Sequence, residues 1–271
     1  MTALCICAAV ALIAALYLYM IFPPRVRRDT SPFTEGPIAH RGIHGVGGIT
    51  ENTEKAFEAA VKAGAPVELD VRLTHDGVPV VVHDDCLKRL CGVDGFVHSI
   101  TSDELALFPL RGGECIPTFA EVLELIRGRV PILIELKGTD TSPVAQRTAE
   151  MLEGYRGSFA VQSFNPYYLL RFRKLMPAVP LGLLTKRSAS GGADGRVFAF
   201  FSRNLLFNFL YRPDFVSYKY SDKLTASLRL YRRLGGVTLA WTVTDAGALK
   251  HCRRLYDGVI CEGLWDLTDD N

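Results

Sequence analysis

An uninterrupted run of apolar residues opens the chain and predicts a membrane-spanning helix. Residues 4–22 are nineteen consecutive positions without a charge. At about 1.5 Å per residue, such a helix matches the roughly 30 Å hydrocarbon core of a bilayer. A secretory signal peptide normally has a basic start and a small-residue cleavage site, but no Lys or Arg precedes Leu4 and the run ends on bulky Tyr19 and Phe22. We therefore interpret residues 1–22 as an uncleaved transmembrane anchor.

Short β-branched runs alternate with amphipathic helical stretches after a Pro-rich juxtamembrane linker at residues 23–36. This alternation is typical of repeated βα units around a parallel sheet. Eight such units close into a TIM barrel, and an open doubly wound sheet is the alternative that strand counting leaves open. The expected barrel domain covers residues 37–271. Its eight expected strands are 38–40, 67–73, 130–135, 159–162, 181–184, 215–216, 238–242 and 258–261.

Two segments interrupt the repeat. Residues 84–115 are irregular and punctuated by glycines, and they predict a small insertion after the second strand. Residues 186–212 change from a polar stretch to an apolar one, in which the thirteen positions 198–210 hold eight large apolar side chains. This density is high for a solvated loop. The segment either covers the barrel or its pocket, or lies as a helix at the bilayer interface.

The composition narrows the class of protein. Hydrophobic residues make up 48% of the 271 positions and charged residues 22%, which excludes wholesale disorder. A net charge of +2 gives no general field for nucleic acid, so we expect no nucleic-acid partner. Of the seven cysteines, the five outside the anchor form no CxxC pair, which favours free thiols in a reducing compartment. Arg25, Arg27 and Arg28 directly follow the anchor, and this positive cluster predicts a cytoplasmic barrel.

Carboxylates with candidate metal chemistry fall near expected carboxyl ends of strands, where TIM barrels carry their active sites. Glu68 and Asp70 are two positions apart on one strand, so their side chains share one face. Two ionised carboxylates there need a cation, and a third oxygen ligand from Glu135 would complete a site for Mg²⁺ or Ca²⁺. Pairing with Arg72 or Lys137 is the alternative explanation.

Histidines and cations surround this expected site. His40 and His83 end different strands and could act on opposite sides of one phosphorus atom, one as general base and the other as general acid. Arg41 offers a bidentate partner for phosphate, and Lys137 adds a point charge. Gly42 lets the backbone approach closely. The combination predicts a metal-assisted phosphodiesterase.

Ordered motifs along the chain resemble the glycerophosphodiester phosphodiesterase family. They are IAHRG (38–42), ENT (51–53), GAPVELDV (64–71), DGVPVVVHD (76–84), IPT (116–118), IELK (134–137), QSFN (162–165) and AWTV (240–243). The resemblance implies a TIM barrel that hydrolyses glycerophosphodiesters to glycerol 3-phosphate and an alcohol, through a cyclic phosphate that water opens. The roles that it implies are ligation of one divalent cation by Glu68, Asp70 and Glu135, acid-base catalysis by His40 and His83, phosphate contact by Arg41 and Lys137, and substrate binding by Glu51 and Trp241.

The last strand departs from the family pattern. The family commonly has Thr followed by Asp or Asn there, whereas this chain has Cys261 and Glu262. We expect this change to affect substrate preference and not the reaction. The other four histidines are expected to be solvated: His44, His75, His98 and His251.

Two other functions stay open from the sequence. One is a phospholipase C- or D-type enzyme that acts directly on lipids, which the anchor is compatible with. The other is a non-catalytic, membrane-tethered module that binds lipid. Retention of the complete set of expected acid, base and metal-binding residues argues against the module, and the released products would separate the two enzymes.

Overall fold

The computed structural model describes residues 2–45, 47–139, 142–187, 193–222 and 224–265. Most of the polar stretch at 188–195 and the last six positions of the expected domain lie outside these ranges. The strands of the described part are β1 (Pro37–His40), β2 (Val67–Leu73), β3 (Pro79–Val81), β4 (Ile132–Leu136), β5 (Phe159–Ser163), β6 (Leu181–Thr185), β7 (Phe215–Lys219), β8 (Val237–Val243) and β9 (Gly258–Cys261).

Eight of these strands close into a parallel barrel. The order around the barrel is β1, β2, β4, β5, β6, β7, β8 and β9, and β9 pairs again with β1. Strand β3 pairs antiparallel with β2 and lies outside this ring. The closed ring confirms the predicted TIM barrel and rules out the open sheet.

Side chains on each strand point alternately outward and inward, so the apolar residues form one core between the barrel and the helices and a second core inside the barrel. On β2, Val67, Leu69 and Val71 face outward and join the large core between barrel and helices. Between them, Glu68 and Asp70 face the inside of the barrel. The opposite, amino-terminal end of the interior is filled by a separate apolar cluster whose fully buried members include Phe33, Leu133, Phe215 and Ile260.

Amphipathic helices surround the barrel and are capped by polar residues of the preceding loops. Thr53 caps its helix by accepting a hydrogen bond from the amide of Ala56, and Thr118 forms a capping box with Glu121. Caps of this kind each stabilise a helix by about 1 kcal/mol. The helices are α1 (Thr2–Ile21), α2 (Glu54–Lys62), α3 (Lys88–Cys91), α4 (Ser102–Leu105), α5 (Phe119–Ile126), α6 (Val144–Leu152), α7 (Pro166–Leu175), α8 (Ala193–Arg203), α9 (Asn208–Tyr211), α10 (Ala226–Arg233) and α11 (Ala246–Leu255).

The predicted insertion after the second strand is present as a small subdomain. It follows the antiparallel pairing of β2 with β3, in which Val71 lies opposite Val81. Short helices α3 and α4 enclose a core of its own, with the buried residues Val80, Val82, Leu87, Leu90, Val97, Leu105, Leu110 and Ile116. This separate core explains why the barrel continues undisturbed after it.

Helix α1 is long and apolar enough to cross a membrane, and little of it is buried. Only its carboxyl-terminal end packs on the barrel, where Ile21 is completely buried. The following segment, residues 23–36, runs over the amino-terminal end of the barrel. Its Arg28 lies 3.1 Å from Asp214 in an ion pair, and its Phe33 belongs to the apolar cluster inside the barrel.

Candidate active site

The residues that the sequence singled out converge inside the carboxyl-terminal end of the barrel. His40 on β1 lies opposite Glu68 on β2, and Asp70 on β2 lies opposite Glu135 on β4. Gln162 on β5 lies opposite Glu135 in turn. Residues that pair across parallel strands point to the same face, so these polar side chains share the inner face of neighbouring strands.

Glu68, Asp70 and Glu135 form a buried carboxylate cluster. Their oxygen atoms lie within 4.8 Å of one another, and the three residues are 2%, 1% and 7% exposed. Burial and the charge of Asp70 raise the pKa of Glu68 to about 7. Burial also raises the pKa of Glu135. At Asp70 burial acts in the same direction, but the charges of Lys137 and Arg41 outweigh it and lower the pKa.

Cations accompany this cluster without neutralising all of it. Lys137 Nζ lies 2.5 Å from Glu135 Oε1 and 3.2 Å from Asp70 Oδ1. Arg41 Nε lies 3.3 Å from Asp70 Oδ2. Arg72 lies elsewhere and donates a hydrogen bond of 2.8 Å to the carbonyl of His83. Of the two pairing partners that the sequence left open, Lys137 therefore contacts the carboxylates and Arg72 orients a neighbouring loop.

The cluster fits a hard divalent cation. Within the described ranges, Glu68 has no ion pair and receives only hydrogen bonds from the Arg41 amide at 3.2 Å and Gln162 Nε2 at 3.4 Å. Asp70 Oδ1 is buried and, apart from its ion pair with Lys137, has no hydrogen bond from the residues that are described. Three buried carboxylates with oxygen atoms to spare are the donor set that Mg²⁺ and Ca²⁺ prefer.

His40 is held by a carboxylate from the last strand. Its Nδ1 lies 2.7 Å from Glu262 Oε2, and its side chain is 13% exposed. Burial lowers the pKa of His40, but the hydrogen bond to Glu262 and the negative charge of Glu68 outweigh it, so that the pKa is raised. The protonated form of this imidazole is therefore favoured.

His83 has a carboxylate partner as well, but its charge balance is the opposite. Nδ1 of His83 lies 2.6 Å from Asp84 Oδ1. Burial lowers the pKa of His83, and the positive charges of Lys137 and Arg41 act in the same direction. The negative charge of Asp70 acts against these effects without reversing them, so the environments of the two histidines move their pKa values in opposite directions.

A network of ion pairs fixes Arg41 at the rim of the site. Arg41 Nη1 donates a hydrogen bond of 2.8 Å to Glu51 Oε1, and Arg89 of the insertion donates one of 2.6 Å to the same oxygen. Gly42, which follows, has φ +77°, and a Cβ built on it would come within 2.8 Å of Ala56. A larger residue at position 42 would displace the loop that carries Arg41.

Trp241 lies on β8 with an aromatic neighbour. Its indole donates a hydrogen bond of 3.1 Å to the carbonyl of Ser217, and its ring meets Phe164 edge to face at 5.6 Å. The bond fixes the orientation of the indole. Phe164 follows β5, so an aromatic wall joins two strands of the barrel.

Several polar residues of the site received no role from the sequence. Asn52 is buried and donates to Asp70 Oδ2 over 2.9 Å. Gln162 is held in turn by Ser217, whose hydroxyl donates to Oε1 over 2.7 Å. Asn52 lies in the motif ENT and Gln162 in the motif QSFN, so these motifs could have indicated that both residues belong to the site. Glu262 was visible only as a departure from the family pattern.

The expectation that His44 is solvated was wrong. A nitrogen of His44, one of His40 and an oxygen of Glu262 lie within 4.8 Å of one another, and burial lowers the pKa of His44. His44 lies in the loop after β1 and is half-buried. The other three histidines, His75, His98 and His251, are exposed.

Comparisons with known proteins agree with this geometry. The sequence profile of the glycerophosphoryl diester phosphodiesterase family matches residues 40–262. A Bacillus subtilis relative is 32% identical over 237 residues, covering 83% of this chain and 93% of the relative. Human glycerophosphodiester phosphodiesterase 1 is 30% identical over 245 residues, covering 76% of this chain and 71% of its own length.

Solved structures are similar over most of the chain. A Thermotoga maritima glycerophosphodiester phosphodiesterase superposes with a TM-score of 0.65 at 30% identity, covering 84% of this chain and 94% of its own. An Oleispira antarctica phosphodiesterase in complex with the product sn-glycerol-3-phosphate has a TM-score of 0.69 at 26% identity, covering 84% of this chain and 93% of its own.

Proposed function

The chain belongs to the glycerophosphoryl diester phosphodiesterase family, and from this membership we propose that it hydrolyses glycerophosphodiesters to glycerol 3-phosphate and an alcohol. The observation that carries the proposal is the buried carboxylate cluster, whose charges act on both His40 and His83. The Oleispira antarctica relative is solved with sn-glycerol-3-phosphate, which is the product expected here.

One divalent cation, Mg²⁺ or Ca²⁺, belongs to the proposed site. Glu68, Asp70 and Glu135 would hold it, because their oxygen atoms lie within 4.8 Å of one another and Glu68 has no ion pair among the described residues. A bound cation of this kind neutralises phosphate charge and polarises the phosphoryl oxygen. Arg41 and Lys137, at the edge of the cluster, would contact the remaining phosphate oxygens.

The two histidines move the protons in the proposed reaction. His83, which favours the neutral form, takes the proton of the glycerol hydroxyl that attacks phosphorus, and His40 protonates the alkoxide that leaves. A cyclic phosphate and a free alcohol result. Water then attacks the cyclic phosphate and gives its proton to His40, while His83 returns its proton to the departing ring oxygen. Both histidines end in their starting states.

Glu51 and Trp241 complete the proposed substrate site. Glu51 would act by positioning Arg41, since the two side chains are joined by a bond of 2.8 Å. Trp241 would form the wall against the glycerol carbons, because its hydrogen bond to Ser217 fixes the plane of the ring. Apolar ring faces commonly pack on the carbon faces of polyols in this manner.

Helix α1 is proposed to be a permanent membrane anchor with the barrel on the cytoplasmic side. Removal of a signal sequence would detach contacts that the barrel uses, since Ile21 is completely buried and Tyr17 donates a hydrogen bond of 2.8 Å to Ser227. The orientation rests on the arginines after the helix, of which Arg25 and Arg27 are exposed.

The test uses the purified full-length protein with a panel of soluble glycerophosphodiesters and, separately, intact phospholipids, each with and without EDTA. Release of glycerol 3-phosphate from the soluble substrates, abolished by EDTA and restored by Mg²⁺ or Ca²⁺, supports the proposal. Cleavage of phospholipids alone would identify a lipid-directed phosphodiesterase instead. If neither the soluble glycerophosphodiesters nor the phospholipids were hydrolysed, the non-catalytic lipid-binding module would be the remaining interpretation.

A further inference from the structure

Helices α8 and α9 present an exposed apolar surface to solvent. Six large apolar side chains there are between 36% and 58% exposed. Soluble proteins seldom leave so many together without a partner. We define this surface as the aromatic patch, which consists of Val197, Phe198, Phe200, Phe201, Phe209 and Leu210.

Inward-facing residues of the same segment hold the patch firmly on the barrel. Leu205 is completely buried and Tyr211 is 2% exposed. The ring of Phe207 stacks on Phe201 with centroids 5.6 Å apart. The segment therefore covers the outside of the barrel, as one reading of the sequence expected, and it also leaves a rigid apolar face uncovered.

The α8 part of the patch lies toward the end of the barrel that carries the active site. Ser202 of α8 donates a hydrogen bond of 3.2 Å to the hydroxyl of Thr185, the last residue of β6. The carbonyl of Arg203 accepts one of 3.4 Å from Thr225, which caps the helix after β7. Residues that follow strands of a TIM barrel lie at its catalytic end.

Helix α1 extends this surface and points in the same direction. Its Tyr19 ring lies 6.5 Å from that of Phe209. Near the amino-terminal end of the barrel, Arg212 donates to the carbonyls of Tyr19 and Phe22 over 2.7 and 3.0 Å. Near the catalytic end, Tyr17 bonds to Ser227 in the first turn of α10. Followed back from Phe22, the helix thus runs toward the catalytic end and projects beyond it.

The aromatic patch lies beside α1, since the rings of Tyr19 and Phe209 are 6.5 Å apart. Where the helix enters a bilayer, the apolar side chains of the patch can enter the same layer.

Charges around the patch match an anionic lipid surface. Residues 195–212 contain Arg196, Arg203 and Arg212 and no acidic residue. Arg203 lies over the ring of Phe200 at 5.4 Å. Guanidinium groups beside aromatic rings suit the interface, where the rings meet acyl chains and the cations meet phosphate.

We propose that the aromatic patch lies in the interfacial layer of the bilayer that α1 enters, so that the mouth of the barrel opens toward the membrane surface. The occupant of the patch is a phospholipid bilayer with anionic headgroups. The inference rests on the proposed anchoring through α1 and is independent of the proposed reaction.

Tryptophan quenching in nanodiscs of phosphatidylglycerol and brominated phosphatidylcholine tests the proposal on the full chain. Three single substitutions supply the probes: Phe200→Trp in the patch, Leu12→Trp in α1 and Leu175→Trp at the carboxyl end of α7, near the amino-terminal end of the barrel. All three positions are at least 46% exposed. The parent chain, with its two tryptophans, sets the background.

The expected result is a loss of fluorescence for the probes at positions 12 and 200 and none beyond background at position 175. Quenching at 12 but not at 200 would overturn the patch proposal and leave the anchor in place. Quenching at neither would overturn the anchor and the patch together. Quenching at 175 but not at 200 would mean that the opposite end of the barrel faces the bilayer, which also overturns the proposal.

A second variant separates membrane contact from folding and catalysis. The variant carries Phe200→Ser, Phe201→Ser and Phe209→Ser together, with a fluorescent probe at position 198 (Phe198→Trp). These substitutions should abolish quenching of the probe, while turnover of a soluble glycerophosphodiester stays at the parental rate. The control Leu175→Ser should change neither quantity. Undiminished quenching in the triple variant would contradict insertion of the patch, whatever the outcome for hydrolysis.

Discussion

His40 and Glu262 are joined by a hydrogen bond of 2.7 Å between Nδ1 and Oε2, which links the first strand of the barrel to the end of the last. The bond to His40 lowers the pKa of Glu262 to about 2, so the carboxylate is ionised and accepts the Nδ1 proton. The other ring nitrogen, Nε2, is then the one left for proton transfer. The residue that departs from the family pattern thus positions the proposed general acid.

Glu262→Gln should move the high-pH limb of the kcat/KM profile to lower pH. The carboxylate of Glu262 helps to raise the pKa of His40, and the high-pH limb reports the group that must be protonated. Removal of the negative charge lowers that pKa, so activity is lost at a lower pH than in the parent. Movement of the low-pH limb alone would exchange the roles of His40 and His83.

His40→Ala and His83→Ala should each reduce kcat by about 10²- to 10⁴-fold, the usual contribution of general acid-base catalysis. His75→Ala is the matched control, because His75 is exposed. Steady-state rates on a soluble glycerophosphodiester give the comparison. A rate near that of the parent in either variant would exclude that histidine from proton transfer.

Glu68→Ala, Asp70→Ala and Glu135→Ala should each lower turnover by about 10²- to 10³-fold, since loss of a cation that supplies several kcal/mol corresponds to this range. Calorimetric titration with Mg²⁺ and with Ca²⁺ should show weakened binding in all three. Glu58→Ala on the exposed face of α2 is the control. Full activity of the parent in EDTA would be incompatible with the proposed cation site.

Gly42→Ala should destabilise the barrel and weaken activity together. An alanine there must adopt φ +77° and place its Cβ within 2.8 Å of Ala56, and left-handed backbone alone costs a residue with a Cβ roughly 1–2 kcal/mol. Gly36→Ala is the control, because a Cβ at position 36 meets nothing within 4 Å. Equal thermal unfolding midpoints for the two variants would show that the loop relaxes freely.

A phosphatase fused to the carboxyl terminus should be inactive when the full chain is made in bacterial cells, because the proposed topology keeps the barrel in the cytoplasm. A reporter that is active in the cytoplasm, fused at the same position, provides the matched control and should be active. An active phosphatase fusion would place the barrel outside, and the arginines after α1 would then not orient the helix.

The order of residues along the chain was enough to predict the helices, the strands and part of the candidate site. An uncharged run of nineteen residues predicts a long apolar helix, and the alternation of β-branched and amphipathic stretches indicates repeated βα units. The spacing of Glu68 and Asp70 placed both on one face of β2, since side chains of a strand alternate with period two. This spacing raised the metal-binding hypothesis, with pairing to Arg72 or Lys137 as the alternative, and the resemblance to the family implied the cation.

Contacts between distant segments came from closure of the barrel. His40 and Glu262 are 222 positions apart and meet because β9 pairs with β1, and Arg89 reaches Glu51 because the insertion folds over the mouth. Neighbouring groups from distant segments also set the pKa shifts: burial lowers the pKa of both His40 and His83, and at His40 the bond to Glu262 and the charge of Glu68 reverse the shift. Desolvation and distance depend on three-dimensional packing, and the linear order of residues contains neither.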